Sequence, residues 1–182
     1  MTGHGGPARE DPGVDRTIEV FVEIPQNSQN KYEYDEERHV LCLDRVLHSA
    51  VHYPADYGFV PGTMGEDGDP LDALVLISVP TFPGCHVRAR VLGLLHMEDE
   101  KGPDAKVLSA AVADPRLSQL RTLADVAPHT LREVEHFFAT YKLLEQKPVR
   151  VIGWEGADEA WRVIQEGLVR GGRVMPAGAS HR

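Results

Sequence analysis

The sequence predicts an α+β fold: a mostly antiparallel sheet of five or more short strands, followed by two amphipathic helices packed on it. Three observations carry that prediction. Apolar residues recur with a period of two through most of residues 17–111, they recur every three or four residues only after Pro128, and turns rich in Gly and Pro separate the strand-like segments. No internal repeat and no linker interrupts this pattern, so residues 16–170 are expected to form a single domain, with tails at 1–15 and 171–182.

Taken in order, Ile18, Val20, Val22 and Ile24 alternate with Glu19, Phe21 and Glu23, which makes a strand with one fully apolar face that Pro25 ends. Gln26 to Asn30 turns the chain. Lys31-Tyr32-Glu33-Tyr34-Asp35 alternates again, so Lys31 and Glu33 share a face and the two tyrosines take the other. A third strand, Val40 to Asp44, delivers Arg45 at its end. His52 to Gly62, dense in aromatic, Pro and Gly residues, reads as a rigid irregular segment or a short strand. Leu74 to Val79 is a buried strand, and Cys85 to Met97 is a long one that runs into the acidic group Glu98-Asp99-Glu100. After the turn Lys101-Gly102-Pro103, Asp104 and Lys106 open another strand and share one of its faces. Leu131, Val134, Phe137, Phe138, Tyr141 and Leu144 then mark a helix between Pro128 and Glu145. A strand from Val149 to Trp154 precedes a second helix on Ala157, Trp161, Ile164 and Leu168, which Gly171-Gly172 stops. Closure into a small barrel would remove the edges of so many strands, though strand spacing alone does not decide it.

Composition narrows the function classes. With 182 residues, 42% of them hydrophobic, the chain can bury a sizeable core. A net charge of −9, from 28 acidic and 19 basic residues, argues against nucleic acid as a partner. No apolar run approaches the ~20 residues of a membrane span, and residues 1–15 lack a signal-like apolar segment, so no membrane partner is expected. Cys42 and Cys85 are distant and form no CxxC pair, which suits the reducing cytoplasm.

The densest chemistry lies in Glu66-Asp67-Gly68-Asp69-Pro70-Leu71-Asp72, followed at once by Ala73-Leu74-Val75-Leu76-Ile77. Most short Asp and Gly runs are solvated turns. Here the aspartates are crowded around Gly and Pro, and Asp72 sits at the mouth of a buried strand, a placement that a hard divalent cation with oxygen ligands would explain. The Asp spacing does not fit an EF-hand, since loop positions six and twelve counted from Asp67 hold Asp72 and Ser78. Around this loop, strand ends and loops carry Glu23, Lys31, Glu33, Arg45, Tyr57, Asp99, Asp104 and Lys106, and a helix edge carries Tyr141 and Lys142. Carboxylates alone would suggest ion storage; cations and phenols beside them suggest an anionic ligand such as phosphate, bridged by metals. His48, His52, His86 and His96 read as packing or strand residues, Cys42 as a packed thiol, and Glu98 and Glu100 as solvated flanks of Asp99.

Asp67-Gly68-Asp69-Pro70-Leu71-Asp72 resembles the D-x-D-P-x-D signature of the bacterial-type family I soluble inorganic pyrophosphatases. Lys31-Tyr32-Glu33, Asp44-Arg45, Tyr53-Pro54 with Asp56-Tyr57-Gly58, Asp99 with Asp104-Ala105-Lys106, and His136-Phe137-Phe138 with Tyr141-Lys142 resemble further family blocks, in the family's order. The resemblance implies an OB-like, five-stranded closed barrel with two flanking helices, several Mg²⁺ ions per site with Mn²⁺ as a substitute, and a homohexamer. It implies that Asp67, Asp72, Asp99, Asp104 and Glu33 hold metal, that Asp69 is the general base toward a water bridging two metals, and that Lys31, Arg45, Tyr57, Lys106, Tyr141 and Lys142 bind the phosphoryl groups, with Glu23 acting at one remove. The implied reaction is hydrolysis of pyrophosphate to two phosphates. A non-catalytic, divalent-ion-dependent OB-type module that binds a phosphate or nucleotide is the alternative from a different class.

Overall fold

Alternation with period two makes one face of each strand apolar, and the computed structural model, which describes residues 16–172, shows how those faces are paired. Apart from Gly171 and Gly172, the tails expected at 1–15 and 171–182 lie outside the described residues. The elements run β1 (Thr17–Ile24), β2 (Asn30–Asp35), β3 (Val40–Val46), β4 (Asp56–Phe59), β5 (Asp72–Leu76), β6 (His86–Asp99), β7 (Gly102–Ala111), α1 (Pro128–Thr140), β8 (Arg150–Gly156) and α2 (Ala157–Arg170).

The main sheet has the order β1-β4-β5-β7-β6-β8, and β1 also pairs with β6 from Thr17↔Arg90 to Phe21↔His86. That second pairing closes β1-β4-β5-β7-β6 into a five-stranded ring. β6 is 14 residues long, so β1 takes its first half while β8 takes its second, from Gly93↔Gly156 to Glu98↔Arg150. All pairs are antiparallel except β5 with β7. β2 and β3 form a separate hairpin sheet.

The segment left open between an irregular piece and a strand contains β4, and Gly58 is the reason it can pair. A Cβ there would lie 1.8 Å from the Phe21 carbonyl oxygen, so only glycine lets β4 lie against β1. The buried strand expected at residues 74–79 starts earlier, at Asp72, because Asp72 is itself paired with Phe59 and Lys106.

The two helices cover opposite faces of the sheet. Ala73, Val75 and Val107 join Ile18, Val20 and Val22 in a cluster with Ala160, Ile164 and Leu168 of α2. The alternate residues Leu74, Leu76, Leu108 and Ala110 join Leu92, Leu95 and Met97 in a cluster with Val134, Phe137 and Phe138 of α1. α1 is shorter than its apolar stripe suggests: it stops at Thr140, and Leu144 is exposed on a 3₁₀ turn, Leu143–Glu145. The Thr140 hydroxyl bonds back to the His136 carbonyl at 2.7 Å, and Gln146 closes the turn in the left-handed conformation.

α2 also fixes the root of the acidic loop. Its Gly167 carbonyl accepts the Met64 N–H at 2.9 Å, and a Cβ on Gly171 would lie 2.1 Å from the Gly62 carbonyl oxygen. Helix and loop therefore touch backbone to backbone.

Candidate active site

The centre of the site follows from one register. β5 and β7 run parallel with Asp72↔Lys106 and Leu74↔Leu108, so the side chains of Asp72 and Lys106 continue the apolar face that meets α1. Asp104, two residues before Lys106, shares that face, as the period of two predicts. The Lys106 ammonium is buried, pairs with Asp72, and lies 2.7 Å from Asp104. It also sits 5.9 Å from the ring centroids of Tyr57 and Phe138. Burial works against its charge, but Asp72 and then Asp104 overcome that and hold Lys106 above the ordinary lysine pKa. Burial raises Asp104 against the pull of Lys106, and the like charge of Asp72 adds to the rise.

A second cation anchors the end of the long strand. Lys142, just past α1, places its ammonium 2.8 Å from Asp99 and 3.2 Å from Glu100. Asp99 stays below the usual carboxylate range: burial opposes this, and hydrogen bonds from Lys142 and the Lys101 backbone prevail. Tyr141 stacks on Phe137 with centroids 5.1 Å apart, and burial pushes its phenol up. Burial also raises Tyr57, with Asp72 adding to the shift.

The β2–β3 hairpin supplies the third group. Lys31 and Arg45 are register partners; Lys31 pairs with Glu33 and lies 3.3 Å from Asp44, while Arg45 pairs with Asp44 and with Glu145 at 3.0 Å. Glu23 of β1 links this hairpin to the barrel. Its carboxylate accepts the Tyr34 N–H at 2.7 Å, and burial raises it to about 7, with the Tyr34 bond opposing and Asp72 adding.

Asp67 and Asp69 stand apart. Both are exposed on the loop leading into β5; Asp67 accepts the Asp69 backbone N–H at 3.1 Å, and the Asp69 carbonyl accepts the Gly65 N–H at 2.7 Å. Gly68, with φ of 90°, makes that turn available. Among the described residues no ion pair engages Asp67 or Asp69. The structure thus gathers Glu23, Lys31, Glu33, Arg45, Tyr57, Asp72, Asp99, Asp104, Lys106, Tyr141 and Lys142 at neighbouring strand and helix ends, with the two remaining aspartates on the loop beside them.

Comparison with known proteins fits this constellation. The family model described as inorganic pyrophosphatase matches residues 20–170. The chain belongs to the inorganic pyrophosphatase family. An inorganic pyrophosphatase of Methanosarcina mazei is 52% identical over 154 residues, which is 84% of this chain and 91% of the relative. One of Nostoc sp. is 46% identical over 89% of this chain and 94% of its own length. Among solved structures, the inorganic pyrophosphatase from Thermus thermophilus superposes with a TM-score of 0.84 at 44% identity, covering 92% of this chain and 95% of that one. The fold class is therefore that of the inorganic pyrophosphatases, with the ring-closed sheet and two helices described above.

The donor set suits the hard cation that the resemblance implies. Asp67, Asp72, Asp99, Asp104 and Glu33 offer only carboxylate oxygens, the ligand type that a hard divalent ion takes. Among the described residues no three of these groups already converge as a cage; Asp72 and Asp104 are turned to Lys106, and Asp99 to Lys142.

Glu100 is exposed, as expected for a solvated flank of Asp99, and it also pairs with Lys142 and, at 3.5 Å, with Lys147. Glu145 escaped notice because it lies beyond an apolar stripe that assigns it to the outside of a helix, and nothing local in the sequence signals its bond to Arg45, 100 residues away.

Proposed function

We propose that this chain hydrolyses inorganic pyrophosphate to two phosphates in a Mg²⁺-dependent reaction. The observation that carries the reading is the convergence of lysine and arginine cations with paired carboxylates at the ends of β5, β6 and β7, within a chain of the inorganic pyrophosphatase family. When bound, Mg²⁺ neutralises phosphoryl charge and acidifies a water, and Asp67, Asp72, Asp99, Asp104 and Glu33 are the residues that would hold it. Mn²⁺ is a candidate substitute.

Lys31, Arg45, Lys106 and Lys142 bind the phosphoryl oxygens, and Tyr57 and Tyr141 donate hydrogen bonds to them. Asp69, exposed at the loop tip, accepts the proton of the attacking water, whose oxygen bonds to one phosphorus as the bridging P–O bond breaks and the other phosphate leaves. Glu23 orients the hairpin through the Tyr34 N–H. Because pyrophosphate is small and highly charged, positioning and charge neutralisation supply most of the rate. We assign the protein to the cytoplasm, in keeping with its free Cys42 and Cys85, and expect a homohexamer.

Phosphate release from pyrophosphate, ATP and a phosphomonoester, each with and without Mg²⁺, tests the substrate class. The reading requires release from pyrophosphate in Mg²⁺ far above the other two. Saturable pyrophosphate binding without turnover would favour the non-catalytic module, which the identity to named pyrophosphatases disfavours.

A further inference from the structure

The turn after α1 reverses the usual partition of side chains. Leu143 and Leu144 are 58% and 66% exposed, whereas the Glu145 side chain between them and Gln146 is 6% exposed. A carboxylate turned inward where two leucines turn outward is placed for its charge. Its Oε1 accepts the Arg45 Nε–H at 3.0 Å, while the Arg45 Nη1 pairs with Asp44. Two carboxylates thus fix the guanidinium plane from two of its nitrogens.

The same turn holds the other side of the cleft. The Lys142 carbonyl accepts N–H groups from Glu145 at 3.0 Å and Lys147 at 3.3 Å, so the Glu145 carboxylate and the Lys142 ammonium leave one tight loop. One reaches the hairpin at Arg45, and the other reaches Asp99 at the end of β6.

We propose that Glu145 is a positioning residue for pyrophosphate binding, acting through Arg45: it holds the guanidinium at the cleft so that little of its freedom remains to be lost when a phosphoryl group arrives. The role rests on the pyrophosphatase reading and on Arg45 as a phosphoryl ligand. Without the carboxylate, Arg45 swings to Asp44 alone and the pre-set geometry is lost.

Steady-state phosphate release in Mg²⁺ tests this with Glu145→Ala, Glu145→Gln, Arg45→Ala and the double variant Arg45→Ala/Glu145→Ala, each with its melting temperature. Glu145→Ala is expected to raise the KM for pyrophosphate about tenfold with kcat changed less than about threefold, the size of a lost charged hydrogen bond. Glu145→Gln, which keeps an acceptor for Nε–H, is expected to raise KM only about threefold, and it decides the matter if the alanine variant fails to fold. The double variant is expected to match Arg45→Ala alone, because a residue that acts through Arg45 has nothing to add once Arg45 is gone. Wild-type KM in folded Glu145 variants, or additive losses in the double variant, would overturn the role. Absence of turnover in the unmodified chain is a separate result, which removes the pyrophosphatase reading and the role with it.

Discussion

Lys106 shows how much a single side chain carries. It is the internal counter-ion of Asp72 and Asp104, and it closes the gap between two strands against the rings of Tyr57 and Phe138. Lys106→Met keeps most of the volume but leaves two carboxylates facing each other, each still partly in contact with water. Thermal or denaturant unfolding of the metal-free protein should show a loss of about 2 kcal/mol, below the value for a fully buried orphaned charge. Wild-type stability in that variant would mean that the pair is solvent-screened. At this scale the sequence was informative in part: the period of two put Asp104 and Lys106 on one face, and Lys31 and Glu33 likewise. The pairing of Lys106 with Asp72 was not legible, since the register between strands 34 residues apart is set by the whole sheet. Glu145, on the turn past α1, was hidden because its partner Arg45 lies 100 residues away.

Among the elements, the acidic loop is held by α2 as well as by its own turn. Gly171→Ala would drive a methyl group into the Gly62 carbonyl, so loop and helix must separate. A lowered melting temperature together with weaker metal or pyrophosphate binding is expected, whereas Gly172→Ala, with nothing within 4 Å of its added Cβ but φ of +77°, should lower stability without the same loss of binding. Equal effects of the two on binding would show that the contact does not position the loop. A second tie joins the ends of β5 and β7. The Asp114 carboxylate accepts N–H groups from Ser78 at 2.7 Å and Arg116 at 3.0 Å, and its bonds to Ser78, side chain and backbone, keep its pKa below the usual range. A depressed folded pKa contributes stability that is present above the unfolded value near 3.8 and lost as pH falls through the folded one. Asp114→Asn should therefore lower the melting temperature at pH 7, and the gap to wild type should narrow on acidification below about pH 4; a gap independent of pH would refute the charge-based account. Element types were mostly legible from periodicity. The β2–β3 hairpin's separation from the barrel, and the end of α1 at Thr140 rather than at Glu145, depend on tertiary contacts that periodicity does not encode.

For the molecule as a whole, three parts meet at the site: the ring brings Asp72, Asp99, Asp104 and Lys106 together at the ends of β5, β6 and β7, the separate β2–β3 hairpin brings Lys31 and Arg45, and the turn past α1 brings Lys142. Each of these cations is paired with carboxylates, so in a chain of net charge −9 an anionic substrate needs the divalent cations that the proposed function invokes. The barrel was anticipated as a way of removing edges; which five strands form it became clear only from the pairings. The division of labour within the acidic loop, with Asp67 and Asp72 holding metal and Asp69 handling the proton, is the central claim about function. It is tested most directly by comparing wild type with Asp69→Asn in Mg²⁺, measuring phosphate release from pyrophosphate alongside calorimetric binding of the metal. The account predicts that the variant folds and binds Mg²⁺ nearly as wild type does while kcat falls at least ~100-fold. Substantial turnover by Asp69→Asn would contradict it.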